Sequence, residues 1–218
     1  MRVSEVFYSI QGEGGRAGQA SMFVRLTGCS AKHACLASGV ICDTEYESGI
    51  DMTHDQLHEA MMAAIDRALP NQRTNGRVPC VIWTGGEPLD QLTAADVIAM
   101  RAKGWGFHAI ETSGVKQLLW DLAEQLEYIV VSPKVAEHIL VKHFPWHEQR
   151  PVNELRYVRH AGQPGVPVPS LNAVMHYLSP HSNGLRVDPV NIQHCVDLCL
   201  RHPQWTLSVQ MHKVLRVL

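Results

Sequence analysis

Apolar positions along this 218-residue chain follow two rhythms, one helical and one extended. After Thr53, the residues Leu57, Met61, Ala64, Ile65 and Ala68 recur at helical spacing, and Pro70 marks a stop. Thr53 and Gln56 have the spacing of a capping box. A second helix is predicted from Thr93, with Asp96 three residues on, Val97 and Ile98 turned inward and Gly104 beyond its end. The run 188–202 predicts a late helix. Between these lie short β-rich runs: FVRLTG (23–28), VIW (81–83), FHAIE (107–111), YIVV (128–131), VMHYL (174–178) and WTLSVQ (205–210). Such alternation predicts an α/β protein with parallel strands, and the Pro/Gly-rich stretch 162–170 reads as a surface loop.

The segments just after the strands carry more information than the strands themselves. The C-terminal ends lead into Cys29, Thr84-Gly85-Gly86-Glu87-Pro88, Thr112-Ser113-Gly114, Ser132-Pro133-Lys134, Ser179-Pro180 and Met211-His212-Lys213. Parallel strands would gather all six polar segments on one face, where α/β enzymes place their sites. This convergence favours an enzyme over a structural protein.

Composition narrows the class. The length suits one domain, and the hydrophobic fraction of 45% is ordinary for a globular protein. Apolar stretches fall far short of the roughly 18 residues that would span a membrane, so no membrane partner is expected. A formal net charge of −2 gives no electrostatic reason for a nucleic-acid surface, and a small-molecule partner fits better. The opening MRVSEVFYSIQGEG lacks the apolar core of a secretory signal, which places the expectation in the reducing cytoplasm. There, six cysteines read as ligands, nucleophiles or core residues rather than a disulfide framework. Among thirteen histidines, His138, His143 and His147 cluster locally, but their spacing matches no zinc pattern and they read as scattered surface and core imidazoles.

Three cysteines, Cys29, Cys35 and Cys42, come directly after the FVRLTG run. Thiolates bind iron-sulfur clusters and zinc alike, and zinc would want a fourth protein ligand that His33 or Cys80 could supply. An iron-sulfur cluster on three thiolates keeps one position open for chemistry. In TGGEP, two adjacent glycines after a strand allow close backbone approach to a ligand, and Glu87 can accept hydrogen bonds from a ligand ammonium. Alone, the same residues are a plain strand-to-helix turn.

Together, a strand leading into three cysteines and a later strand leading into TGGEP resemble the radical S-adenosylmethionine superfamily. Within it, YSIQGEG, FVRLTGC, CDT, TGGEP, ETSG, VSPK and RHPQWTLSVQMHK, running in order from residue 8 to 213, resemble the 7-carboxy-7-deazaguanine synthase family. The resemblance implies an incomplete or modified (β/α)6 partial barrel in a single domain over 1–218, with helical pattern poor between Lys134 and Ser179. It implies a [4Fe-4S] cluster on Cys29, Cys35 and Cys42, with S-adenosylmethionine contacts at Ile41, Asp43, Gly86, Glu87, Ser132, Pro133, Lys134, Ser179, Pro180, His181 and Ser182. Substrate contacts would fall at Ile10, Gln11, Gly12, Arg25, Thr84 and the chain end Leu218, and Thr44 would ligate Mg2+. Arg25 also makes physical sense, since a substrate carboxylate wants a bidentate cationic partner.

The implied reaction converts 6-carboxy-5,6,7,8-tetrahydropterin to 7-carboxy-7-deazaguanine with loss of ammonia, by way of a 5′-deoxyadenosyl radical, in 7-deazapurine (queuosine) biosynthesis. An external electron donor such as flavodoxin and a homodimer are implied with it. The chain departs from the pattern in its cysteine loop: most of the superfamily uses C-x3-C-x2-C, whereas the gaps here are five and six residues, with Gly39 where a nearer ligand would stand. Ser179 departs too, at a position where the family often has Gln. The rival readings are an inactive relative that binds S-adenosylmethionine or zinc, and a radical activase.

Overall fold

The computed structural model describes residues 1–37, 45–70, 78–182 and 188–215. In chain order the strands are β1 (Arg2–Ile10), β2 (Ala20–Leu26), β3 (Ile50–Asp51), β4 (Cys80–Gly85), β5 (His108–Thr112), β6 (Tyr128–Val131), β7 (Val152–Arg159), β8 (Ala173–Pro180) and β9 (Thr206–Leu207). The helices are α1 (Lys32–Ala37), α2 (His54–Ala68), α3 (Ala94–Ala102), α4 (Trp120–Ala123), α5 (Glu137–His143), α6 (Pro189–Arg201) and α7 (Met211–Leu215). Both predicted capping boxes form: Thr53 with Gln56 opens α2, and Thr93 with Asp96 opens α3. Asp188 caps α6 by accepting from the Val190 and Asn191 amides.

Among the described residues the strands make one open sheet in the order β3-β1-β2-β4-β5-β6-β7-β8-β9. From β2 to β9 every pairing is parallel, while β1 runs antiparallel to β2 and β3. Two-residue strands, β3 and β9, close the edges, which limits the unpaired backbone offered to other chains. The sheet is mixed α/β and not closed, in keeping with a partial barrel.

Strand alternation gives the sheet two chemically different faces. On one side Met22, Val24, Leu26, Val81, Trp83, Ile110, Ile129, Val131 and Leu155 join Leu57, Met61, Ala64 and Ile65 of α2, Val97 and Met100 of α3, and Leu140 of α5 in the main core. On the other side the early strand residues are apolar, with Phe7 stacked on Phe23 at 4.8 Å beside Cys80, Ile82 and Ala109. Further along, that face turns polar: Arg25 pairs with Thr84, Glu111 with Val130, Val130 with Glu154, and Arg156 with Tyr177. Among the described residues, no helix covers this polar half in the way that α2 and α3 cover the core face.

Three sequence expectations change. Ile98 is 51% exposed, because the inward stripe of α3 runs through Val97 and Met100 and a residue one step on points about 100° away. Strands β1 and β7 are absent from the pattern-based prediction. A register irregularity between Val3 and Glu5 breaks the alternation of β1. In β7 the inward positions are Glu154 and Arg156, so a deeply buried strand reads as surface. The stretch between Lys134 and Ser179 therefore holds a full strand, preceded by the short α5, and β7 reaches its parallel neighbour β8 through residues 160–172 without a helix.

The histidines behave as structural groups. His143 Nδ1 lies 2.8 Å from the Gly114 carbonyl, and His147 Nδ1 accepts from the Asn172 amide, while His138 is exposed. His108 is fully buried, stacked 6.0 Å from Trp83; its Nδ1 accepts from Trp83 Nε1 and its Nε2 faces the Trp105 carbonyl at 2.6 Å. That pattern fixes a neutral ring with the proton on Nε2.

Burial drives the His108 pKa down to about 4, so below its ordinary value of 6.5 the unfolded chain takes up a proton that the folded chain refuses. Stability present above pH 6.5 should fall as the pH drops towards 4, by up to about 3 kcal/mol from this group. Denaturant titrations across that range check it, and a His108→Asn variant should be less stable at pH 7 but lose less over the same interval.

Candidate active site

The loops that leave the parallel strands are stitched to one another in strand order. After β2, Gly28 has φ +81°, a conformation that disfavours side chains, and its amide donates to the Tyr46 carbonyl. After β4, the Gly86 amide donates to Leu26 and the Glu87 amide to Gly28. The contact is close enough to demand glycine: a Cβ on Gly86 would stand 1.9 Å from the Gly28 carbonyl oxygen and 2.9 Å from Cys29 Cβ. The Gly-Gly-Glu turn is thereby pressed against the first cysteine of the loop.

The next stitch is Glu87 itself, whose side chain is fully buried. Its Oε1 accepts from Thr112 Oγ1 at 2.6 Å and the Leu89 amide at 3.1 Å; its Oε2 accepts from the Ser113 amide at 2.9 Å and from the Ser113 hydroxyl. Four protein donors occupy the carboxylate, so the ligand-facing acceptor expected from sequence is instead a brace between the loops after β4 and β5. From there, Ser132 donates to Thr112 and Lys134 to Ser113, which fixes the half-buried Ser132-Pro133-Lys134. On the far side, the His181 amide donates to Arg159, and Ser182 Oγ donates to Gln210 Oε1 at 2.7 Å. Pro180 is buried and Ser179 is 4% exposed, with its hydroxyl lacking a hydrogen-bond partner among the described residues.

Residues 11–19 connect β1 to β2 and fold back over the polar sheet face. Ile10 is half-buried, and Gln11 and Gly12 are buried. Gln11 Nε2 donates to Glu111 Oε1 at 3.0 Å, and its Oε1 accepts from the Glu13 amide. The Gly14 amide donates to Ser208 Oγ, and the Gly15 amide to Glu154 Oε1 at 2.8 Å. Arg16 lies 4.7 Å over the Phe107 ring. Helix α7 closes on the same segment: the Met211 amide donates to Gly12, and a Cβ on Gly12 would stand 2.2 Å from His212 Nδ1.

Among the residues expected to meet substrate, Arg25 and Thr84 are register neighbours on the polar face. Arg25 Nη1 donates to Glu5 Oε2 at 3.0 Å and its guanidinium lies 4.8 Å from the Phe7 ring, with the side chain still 31% exposed. Thr84 Oγ1 stands 3.5 Å from Glu111 Oε2. Sequence reasoning missed Glu13, Glu111, Glu154 and Arg156, which converge here. The signals were present in the charged residues of GEG, ETSG and ELRYVR, yet nothing marked those charges as buried. Burial raises the Glu13 pKa, with Arg156 opposing and Glu111 adding to the rise. Burial alone would lower the Arg156 pKa, but Glu111, Glu154 and Glu13 raise it overall, so its charge is locked.

Cys29 and Cys35 are both half-buried, joined by a turn in which the Lys32 amide donates to Cys29 and the Cys35 amide to Ala31. The site residues expected at Ile41, Cys42, Asp43, Thr44 and Leu218 lie outside the described residues, as does Gly39. Cys80 is ruled out as a further ligand. It pairs with Ser21, five residues back from the Leu26–Gly85 pair, about 16 Å along the strand, and burial pushes its pKa up to about 12. Among the described residues no group of three or more His, Cys, Asp or Glu side chains could hold a metal ion. Two half-buried thiols on a loop pressed by Gly86 nonetheless suit the soft-ligand chemistry of an iron-sulfur cluster.

Comparison with known proteins sets this geometry in context. The chain is 33% identical over 222 residues to the 7-carboxy-7-deazaguanine synthase of Burkholderia multivorans, covering 99% of this chain and 98% of that protein. The chain belongs to the 7-carboxy-7-deazaguanine synthase family. Relatives of the same name from Nitratidesulfovibrio vulgaris (33% identical, covering 99% and 98%) and Bacteroides thetaiotaomicron (30%, covering 99% and 98%) match over similar lengths. The solved structure of QueE from Escherichia coli superposes with a TM-score of 0.61 at 21% identity, covering 97% of this chain and 94% of that one, and supports the fold. No protein-family model matches the chain.

Because Glu87 braces two loops with four donors, Glu87→Gln should weaken the fold. The amide offers a donor where the Ser113 amide and hydroxyl need an acceptor. A loss of about 1.5–3 kcal/mol is expected in chemical denaturation, larger than for a surface Glu→Gln change.

Proposed function

We propose that the chain is a 7-carboxy-7-deazaguanine synthase that converts 6-carboxy-5,6,7,8-tetrahydropterin to 7-carboxy-7-deazaguanine with loss of ammonia. The observation that carries this reading is the polar sheet face on which Arg25, Thr84 and Glu111 stand in neighbouring strands beneath the Gln11–Gly15 segment. Cys29, Cys35 and Cys42 would hold a [4Fe-4S] cluster, and Thr44 a magnesium ion. Ile41, Asp43, Gly86, Ser132-Pro133-Lys134 and Ser179-Pro180-His181-Ser182 would hold S-adenosylmethionine. When bound, the cluster and S-adenosylmethionine supply one-electron reductive cleavage.

The protein's own share is binding and orientation. Arg25 gives one donor to Glu5 and keeps others for the substrate carboxylate. Glu111 and Gln11 offer acceptors and donors that match the N–H and C=O edge of a pterin ring. The segment 11–16 folds over part of this face, which would shield a reactive intermediate. Glu13 Oε2 stands 3.5 Å from Arg156 Nη1 and helps to seat the covering segment. Leu218 would join the substrate contacts. A homodimer, an external donor such as flavodoxin, a cytoplasmic location and one domain spanning 1–218 belong to the same proposal. Among the described residues no helix is long and apolar enough to cross a membrane.

Anaerobic incubation with carboxytetrahydropterin, S-adenosylmethionine, magnesium and a reductant should yield the deazaguanine product. A colourless zinc protein forming no 5′-deoxyadenosine would overturn the reading. Cys35→Ala should abolish the reconstituted cluster spectrum, and full retention would assign the second ligand elsewhere. Arg25→Met should raise the substrate Kd about 10- to 100-fold, as expected for losing a charge-assisted pair, and titration calorimetry measures it.

A further inference from the structure

We propose that Arg156, held by Glu154, is a positioning residue: it orients the Glu111 carboxylate and docks the Gln11–Gly15 segment over it, so that a pterin meets a preset acceptor. The identity of the ligand rests on the synthase reading; the clamp itself rests on geometry.

Arg156 is 4% exposed and Glu154 is fully buried. The guanidinium spends its fork on three elements. Its Nε donates to Glu154 Oε2 at 2.6 Å; its Nη1 donates to Glu111 Oε1 at 2.9 Å and stands 3.5 Å from Glu13 Oε2; its Nη2 donates to the Glu13 carbonyl at 3.3 Å. Glu154 then uses its other oxygen on the Gly15 amide and on Tyr128 Oη, at 2.8 and 2.6 Å. One arginine therefore grips both the backbone of the covering segment and a carboxylate of the sheet face. Gly14 records the closeness of the grip: its φ is +68°, and a Cβ there would stand 2.1 Å from Glu154 Oε2 and 2.5 Å from Arg156 Nη2.

A structural ion pair would need only Arg156 and Glu154. Instead three carboxylates meet one guanidinium, a surplus of partly buried acceptor capacity that costs stability unless other donors share it. The distribution of donors shows where the opening lies. Glu111 Oε1 receives both Arg156 and Gln11, whereas Oε2 has the Thr84 hydroxyl at 3.5 Å. Oε2 is thus the edge left for a ligand N–H. Lysine could supply the charge but not the fork that reaches Glu154, Glu111 and Glu13 together.

Titration calorimetry of carboxytetrahydropterin into the protein, as a function of pH, tests the clamp with Arg156→Met, Arg156→Lys and Gly14→Ala. The groups facing Glu111 and Glu13 are Arg156 on β7, Cys80 on β4, Gln210 beside α7 and Lys213 within it; Glu154 on β7, Tyr128 on β6 and Tyr177 on β8 face Arg156. Arg156→Met should weaken binding about 10- to 100-fold and move the acid limb of binding to higher pH, because Glu13 loses the Arg156 charge that opposes the rise its burial causes. Arg156→Lys should restore the pH limb but not the affinity. Gly14→Ala, which drives a Cβ into the clamp with every charge kept, should weaken binding and leave the pH limb in place. Unchanged affinity and pH profile in a folded Arg156→Met protein would overturn the proposal; if that variant does not fold, unchanged affinity in both other variants does so. Should wild type bind no carboxypterin, the synthase reading fails separately. Infrared spectra of 13C-glutamate-labelled protein then decide the clamp: a protonated-carboxyl band that persists to higher pH in Arg156→Met than in wild type, or in Arg156→Gln if the former does not fold, supports it, and an unchanged band overturns it.

Discussion

The buried charge of Arg156 is the constraint around which the polar side of this protein is organised. A guanidinium taken out of water costs several kcal/mol unless its donors find acceptors. Here the acceptors come from far apart in the chain: Glu13 in the loop after β1, Glu111 on β5 and Glu154 on β7. Meeting that demand brings the N-terminal segment across the sheet, where Gly14 and Gly15 allow the backbone to settle on Glu154. The same arrangement leaves one oxygen of Glu111 with a single long contact, to Thr84 Oγ1 at 3.5 Å.

A second anionic group performs the equivalent task at the rim. Glu87 ties the loop after β4 to the loop after β5, and the backbone bonds of Gly86, Ser132 and Lys134 extend the tie on either side. Radical chemistry needs its reactants held still and dry, because a misplaced reactive intermediate abstracts the wrong atom. A rim of loops linked in series by one buried carboxylate, backbone bonds and a glycine contact offers such rigidity without conventional acid-base pairs. These ties all lie at the ends of the parallel strands.

Much of the architecture was legible from residues. Caps at Thr53 and Thr93, the stripe through Leu57, Met61 and Ile65, and the central strands all arise from local spacing that each element satisfies alone. The polar segments after the strands were legible for the same reason, since parallel strands must send their ends to one side. Strand β7 was not legible, because Glu154 and Arg156 occupy inward positions that pattern reading assigns to solvent. The role of Glu87 was misjudged on similar grounds. A carboxylate beside a glycine pair looks available until the donors from Thr112 and Ser113, about 25 residues away, are seen to occupy it.

Fold class, the principal helices and the family were all present in the order of residues. These depend on short-range periodicity and on motifs whose meaning is carried within a few positions. Long-range packing was needed to settle which charges are buried, which carboxylate braces loops and which stays open, and that Cys80 lies far from Cys29. Burial and hydrogen-bond partnership are properties of chain segments brought together from a distance, and no local pattern encodes them.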